Sequence, residues 1–180
     1  MKPHIIILQF FFLLLSVFCY SQGHYIGQNY GGGIIFFIDG SGEHGLIVAP
    51  NDQAKDRIWG FVGSSPGYKS VTGATSLDNG SLNTEKIIQT IPLPETSAAF
   101  ICDTLTLGGF TDWYLPAIRE LRQIYDKQDF IKNFSLGDYC SSTENDLNKS
   151  WNIHFEPRKT IEFLKAKDSK SFIVRCVRSF

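Results

Sequence analysis

Cys102 and Cys176 place the strongest restraint on the fold of this chain, since a bond between them would join its middle to its end. Cys102 lies in a helical pattern and Cys176 in the last strand pattern, and both stand among apolar residues at core-facing positions. We predict a disulfide between them, for which the chain-entropy model gives roughly 4 kcal/mol of stabilisation. The alternative is three buried free thiols, Cys140 included, because reduced cysteine is commonly a core residue.

The N-terminus indicates a compartment in which that bond can form. An apolar run over 5–18 precedes Cys19 and Ser21, small residues at the positions that a signal peptidase reads, so 1–21 is predicted to be a secretory signal peptide. The run is shorter than the roughly 20 residues of a spanning helix, and no transmembrane segment is expected after cleavage. Lipid attachment through Cys19 is the alternative. We expect the protein to be secreted, periplasmic or on the outer cell surface, where disulfides persist.

The remaining residues, 22–180, suffice for one domain with its own core. The net charge of the whole chain is -1, which argues against nucleic-acid binding. Basic residues are concentrated in 151–180. That stretch is either an anion-facing surface or, as is more common, a sheet whose solvent face and edges carry lysine.

Hydrophobic periodicity predicts an α+β order. A continuous apolar run predicts a hairpin early in the chain, and period-two alternation around Trp151 predicts a second one late in it. Between them, 50–82 shows no sustained period and is expected to be irregular. Apolar residues on both faces of the last strand predict a central position in its sheet. The predicted hairpins pair 34–38 with 46–49 and 151–155 with 161–163, and the predicted helices begin near Asn83, Thr96 and Pro116.

Short blocks of sequence occur in a specific order along the chain. In order, they are Gly32-Gly33-Ile34, Ile47-Val48-Ala49, Asp112-Trp113-Tyr114-Leu115-Pro116, Ser141-Ser142-Thr143-Glu144, Trp151 and Val174-Arg175-Cys176-Val177-Arg178. This set resembles the Lcl C-terminal domain, the globular head of a bacterial collagen-like adhesin. The resemblance implies a C-type-lectin-like fold, with two main helices packed on small antiparallel sheets and long irregular loops. It also implies an extracytoplasmic binding module, and sulfated-glycan adhesion is known for the adhesin head.

The chain departs from that family at Ala117 and at Cys140, a position that is commonly aromatic in the family and is expected to fill the core rather than form a site. Ala117 stands where the family usually has serine, so we expect the reciprocal capping box to be absent and Glu120 to be free for another partner. The sequence signatures of calcium-dependent lectins are broken at 151–153 and 156–158. We therefore expect binding without calcium. No metal site and no cofactor are predicted, since the histidines lack the i, i+4 spacing of a metal-binding pair.

The predicted function is that of a non-enzymatic adhesion module that recognises a glycan or a cell-surface protein. Loops that carry aromatic rings and amides suit sugar rings, although ordinary loop packing explains such residues equally well. Two alternatives are a structural subunit of a surface assembly, which a large exposed apolar patch would favour, and an envelope enzyme, which a cleft of titratable groups would favour. The candidate contact residues are Trp59, Tyr68, Asn145, Asp146 and Asn152.

Two further motifs have structural explanations. Arg175 and Arg178 project from the last strand, and we expect them to pair internally with Glu120 and Asp112 rather than with a ligand, with Glu120–Arg175 as the structural ion pair. The 63–67 stretch matches the G-x-S-x-G nucleophile motif. The motif is not expected to be catalytic, because the proline after its central serine has no N–H for an oxyanion hole.

Overall fold

The computed structural model describes residues 23–60, 71–90, 97–156 and 159–180. The predicted signal peptide, the 63–67 motif and Tyr68 lie outside these ranges. No helix in the described part of the chain is both long and apolar enough to cross a membrane.

The described chain forms two sheets and three short helices, a mixed α+β architecture. The four-stranded sheet has the order β1-β2-β3-β9, and the five-stranded sheet has the order β4-β8-β5-β6-β7. The elements are β1 Asn29–Tyr30, β2 Gly33–Ile38, β3 Gly45–Val48, β4 Ala54–Arg57, α1 Gly80–Thr90, α2 Ala98–Asp103, α3 Ile118–Asp126, β5 Gly137–Glu144, β6 Lys149–Glu156, β7 Lys159–Ala166, β8 Phe172–Val174 and β9 Val177–Ser179.

Both predicted hairpins are confirmed. β2 pairs antiparallel with β3, and β6 pairs antiparallel with β7 along its whole length, from Lys149 opposite Ala166 to Glu156 opposite Lys159. β5 was not predicted as a strand, although it lies at the centre of the larger sheet. Its second half is polar yet buried, so it lacks the apolar signal by which strands are recognised.

The last predicted strand is in fact two strands that belong to different sheets. β8 lies between β4 and β5, in the central position that the sequence predicted, whereas β9 is the outer strand beside β3. Arg175 and Cys176 form the crossing between them. The backbone of Cys176 is held on both sides, since its carbonyl accepts from the Ala49 N–H and its N–H donates to the Gln53 side chain.

The predicted disulfide between Cys102 and Cys176 is confirmed, with a Cα–Cα distance of 5.4 Å. It ties α2 to the crossing between the two sheets. Both cysteines are fully buried in a core cluster with Trp59 and Trp113. Cys140 is a buried free thiol whose pKa is raised by burial, which makes it a packing residue rather than a reactive one.

The helices begin at polar caps that the sequence only partly predicted. α1 starts at Gly80 rather than near Asn83, because the Asn79 side chain accepts the Leu82 N–H as an N-cap. α3 starts after Ala117, and the expectation that Glu120 would be released from capping is wrong, since its carboxylate accepts the Ala117 N–H at 2.8 Å. A hydroxyl from β5 also caps this helix start, since the Thr143 hydroxyl accepts the Ile118 N–H at 3.0 Å.

Candidate functional site

Two of the predicted contact residues are buried and cannot face a ligand. Trp59 is 1% exposed, and its indole N–H donates to the Ser141 carbonyl at 2.8 Å. Asn152 is fully buried in β6, where its amide donates to the Ser150 carbonyl. Both predictions were wrong because the tryptophan of this irregular stretch and the asparagine of this strand pack inside the domain.

Two other predicted contact residues are exposed, at the turn between β5 and β6. The Asn145 amide donates to the Asp146 carboxylate at 2.7 Å. The other oxygen of Asp146 accepts the N–H groups of Asn148 and Lys149, and these bonds, with that of Asn148 the largest, lower the pKa of Asp146. The turn 145–148 is therefore a fixed polar surface with an ionised carboxylate.

A buried ion pair lies beneath this turn. The Glu144 carboxylate accepts the Lys167 ammonium at 2.5 Å, and the side chains are 1% and 0% exposed. Glu144 also accepts the N–H groups of Thr72 and Gly73, at 2.9 to 3.0 Å. Burial lowers the pKa of Lys167, while the hydrogen bond that its ammonium donates to Glu144 opposes that change.

The two residues of this ion pair also hold the stretches of chain on either side of 61–70. The N–H groups of Trp59 and Gly60 donate to the Lys167 carbonyl, and the Lys167 ammonium lies 4.7 Å from the centre of the Trp59 ring. Thr72, on the other side of that segment, is bonded to Glu144. The structure thus brings together 59–60, 71–73 and the turn 145–148, which the sequence placed in two separate regions.

The predicted Glu120–Arg175 ion pair is wrong. The Arg175 guanidinium donates to Asp52 at 3.0 Å and to the carbonyls of Ala49, Asn133 and Lys132, so its carboxylate partner is Asp52. Arg178 forms the two-pronged contact with Asp112 that was expected, at 2.8 and 3.0 Å. Sequence spacing predicted internal pairing but could not identify Asp52, which lies in an irregular segment.

Most basic side chains of 151–180 are therefore engaged within the fold. Lys165 contacts Asp138, and the cations of Lys167, Arg175 and Arg178 each have a carboxylate partner. His154 also contacts Asp138, which raises the pKa of His154 chiefly through their hydrogen bond. Neither an open anion-binding surface nor a solvent-facing sheet of lysines describes these residues, since Lys167, Arg175 and Arg178 are buried in internal ion pairs.

A cleft that the sequence did not predict lies beside Tyr114. We call this cavity, of about 350 Å³, the Tyr114 cleft. It lies between the β2–β3 turn, the start of α1 and the end of β9, and its lining includes Phe37, Asp39, Asp78, Tyr114, Glu120 and Phe180.

Glu120 forms a buried part of the cleft lining. It is 5% exposed, and one carboxylate oxygen accepts the Ala117 N–H while the other lies 3.3 Å from the Tyr114 hydroxyl, which donates to it. Burial raises the pKa of Glu120 to about 7, against the hydrogen bonds from Ala117 and Gly80 that lower it. The carboxyl group can therefore exist in both protonation states near neutral pH. The sequence placed Glu120 at the start of a helix but did not indicate its burial beside Tyr114.

Within the described ranges, no group of three or more His, Cys, Asp and Glu side chains is arranged to hold a metal ion.

A comparison with curated proteins found no match to this chain. A model of the family described as the Lcl C-terminal domain matches residues 51–178. The matched range includes α1 to α3, β4 to β8 and most of β9, together with the cysteine pair. The resemblance inferred from the short sequence blocks is thus confirmed, and the chain belongs to the Lcl C-terminal domain family.

Proposed function

We propose that this protein is an exported, non-enzymatic binding module that recognises a glycan or a cell-surface protein without calcium. The signal peptide at 1–21 directs it to the periplasm, the cell surface or the medium. Its domain is a variant of the C-type-lectin-like fold. Family membership supports a surface-associated role, and the disulfide suits an oxidising compartment.

The observation that carries this proposal is the convergence of three chain segments on the buried Glu144–Lys167 pair. Burying two charges costs several kcal/mol for each ion, and hydrophobic residues would often stabilise a fold better. The best-attested use of such a pair is to specify one arrangement. Here the pair fixes the turn 145–148 against both ends of the segment that contains Tyr68, and so provides a rigid base for a binding surface.

The chemistry of that surface suits hydroxyl-rich ligands. Asn145 and Asp146 offer an amide and a carboxylate at the exposed turn, groups that bind sugar hydroxyls through hydrogen bonds. The sulfated-glycan specificity of the adhesin head is not carried over, because four cations of the C-terminal stretch are bound to carboxylates.

A structural subunit of a surface assembly is the second candidate. β7 is the outermost strand of the larger sheet, and it exposes Ile161 and Leu164, which are 47% and 37% exposed. Long edge strands with exposed apolar residues are sites at which another chain can pair. Concentration-dependent association measured by light scattering, lost in an Ile161→Lys variant, would favour this candidate.

A glycan array tests the binding function. The exported protein is applied with and without EDTA, at low and high salt, beside a double variant Asn145→Ala/Asp146→Asn that keeps an oxygen for the backbone bonds of the turn. Asp129→Asn, an exposed carboxylate on a different surface, is the matched control. We expect EDTA-resistant binding that the double variant weakens at least tenfold and the control retains. Binding that EDTA abolishes, or that the double variant leaves unchanged, would contradict the proposed site.

A further inference from the structure

We propose that the Tyr114 cleft is a separate ligand site, which binds the protonated amine of an amino sugar. The buried carboxylate of Glu120 would bind the amine, and none of the residues of the turn 145–148 takes part. It assigns a positively charged ligand to a surface that the sequence did not single out.

Glu120 is a buried carboxylate without a cation. Glu144 and Asp52, whose carboxylates are similarly buried, each face a lysine or an arginine at 2.5 and 3.0 Å. No cation in the described ranges forms a salt bridge with Glu120, whose polar partners are the Ala117 and Gly80 N–H groups and the Tyr114 hydroxyl. A buried carboxyl group without a partner cation either takes a proton or is stabilised in its charged form by a bound cation, and a ligand amine could supply that cation.

The carboxylate is held in a fixed position at the cleft. Its contact with Ala117 places it at the start of α3, and Gly80 brings the start of α1 against it. A Cβ atom at Gly80 would lie only 2.5 Å from the Glu120 oxygen, so glycine at this position permits the close approach. Preorganised acceptors bind a cation without the cost of ordering a flexible side chain.

The other charged groups of the cleft add to the negative potential. Asp39 and Asp78 both line it. Asp78 is paired with Arg119 across an exposed contact, which screens part of its charge. The hydrogen bond from Ser41 and, to a smaller extent, the charge of the exposed His44 at the rim lower the pKa of Asp39, so its carboxyl group is ionised. The cleft therefore favours a cation over a sulfate or a phosphate.

The walls of the cleft indicate a ring rather than a bare ion. Phe37, Tyr114 and Phe180 provide aromatic surface beside the carboxylates, and Phe37 is 38% exposed. Aromatic faces attract ammonium groups and stack on the apolar faces of sugar rings. The hydroxyls of Ser81 and Ser179 also line the cleft and can bind sugar hydroxyls. A hexosamine with a free amine combines all of these features.

Calorimetric titration with two oligosaccharides tests this assignment. The exported protein is titrated with a glucosamine tetramer and with its N-acetylated counterpart, which has the same rings without the charge. We expect the glucosamine tetramer to bind, and we expect the N-acetylated tetramer to bind at least tenfold more weakly. Equal affinity for both tetramers, or no binding of the glucosamine tetramer, would overturn the proposal. Tighter binding of Nα-acetyl-lysine amide than of the tetramer would overturn the sugar assignment.

Three variants connect the binding to the cleft. Glu120→Gln keeps the shape of the side chain and its hydrogen-bond acceptor but removes the charge. Phe37→Ser removes an aromatic side chain from the cleft wall and leaves the Glu120 cap of α3 in place. Each of these two variants should bind the glucosamine tetramer at least tenfold more weakly, while Asp129→Asn should bind it with unchanged affinity. Unaltered affinity in both cleft variants would place the amine elsewhere. Failure here would leave the result for the turn 145–148 intact, because that experiment uses other residues.

Discussion

Among single residues, Glu120 couples the stability of the fold to pH. Its pKa is about 4.5 in an unfolded chain and is raised to about 7 by burial. Between these values the folded state holds a proton that the unfolded state has released, so the free energy of unfolding should fall as pH rises through this window. The full shift corresponds to about 3 kcal/mol.

Urea unfolding of Glu120→Gln between about pH 4.5 and pH 8 measures this effect. The free energy of unfolding of the variant should fall much less with rising pH than that of the native protein. His154 would contribute in the same direction, since its raised pKa gives stability that is lost at higher pH. The comparison should therefore be made in a His154→Gln background, and an equal decline with and without Glu120 would contradict the prediction.

A second prediction concerns the Glu144–Lys167 pair. Glu144→Gln or Lys167→Met alone leaves a buried charge without its counterion, and each should lower the free energy of unfolding by about 3 to 5 kcal/mol. The double variant should lose less than the sum of the two. A double-mutant cycle by urea unfolding measures the difference, and additive losses would show that the two side chains do not interact.

At the scale of elements, α3 depends on a hydroxyl from a strand that is distant in sequence. Thr143 accepts the Ile118 N–H and donates to the Ser76 carbonyl, so it joins β5, α3 and the segment before α1. Thr143→Val keeps the shape but leaves the Ile118 N–H without its acceptor, while the Ser76 carbonyl keeps its bond from the Asn83 amide, and it should cost about 1 to 3 kcal/mol.

Thermal unfolding and hydrogen exchange at the Ile118 amide measure this loss. Thr104→Val, at an exposed helix end, is the matched control and should change stability by no more than about 0.5 kcal/mol. Unchanged protection of the Ile118 amide in Thr143→Val would show that the helix start does not need the hydroxyl.

Elements with a clear hydrophobic period could be predicted from the sequence, and the others could not. Both hairpins carry apolar runs or alternation, which is why their strands were recognised. The end of β5 is Ser141-Ser142-Thr143-Glu144, a polar stretch that the fold buries because each of these residues takes part in a hydrogen bond to a distant segment. Those partners are known only once the chain is folded. The Tyr114 cleft escaped prediction for the same reason, since its lining comes from four separate parts of the chain.

For the whole molecule, the disulfide is the principal covalent restraint. The bond spans 74 residues, for which chain entropy gives a stabilisation of about 4 kcal/mol. Reduction, or a Cys102→Ala/Cys176→Ala variant, should lower the free energy of unfolding by about that amount in urea. Cys140→Ala is the control, since it should respond to reductant as the native protein does. A native protein that is equally stable with and without reductant would contradict the prediction.

The position of that bond also determines how the protein responds to mechanical force. Cys176 lies where the chain passes from one sheet to the other, and its partner lies on α2. The bond therefore closes the chain between these two cysteines, 74 positions apart, into a covalent loop. In a single-molecule pulling experiment, this loop cannot extend while the bond is intact. At about 3.4 Å per residue, the extension on unfolding should be roughly 250 Å shorter in the oxidised protein than in the reduced one. Under tension, the residues between Cys102 and Cys176 would not extend until their bond broke, whereas the chain outside this loop could unfold and lengthen first.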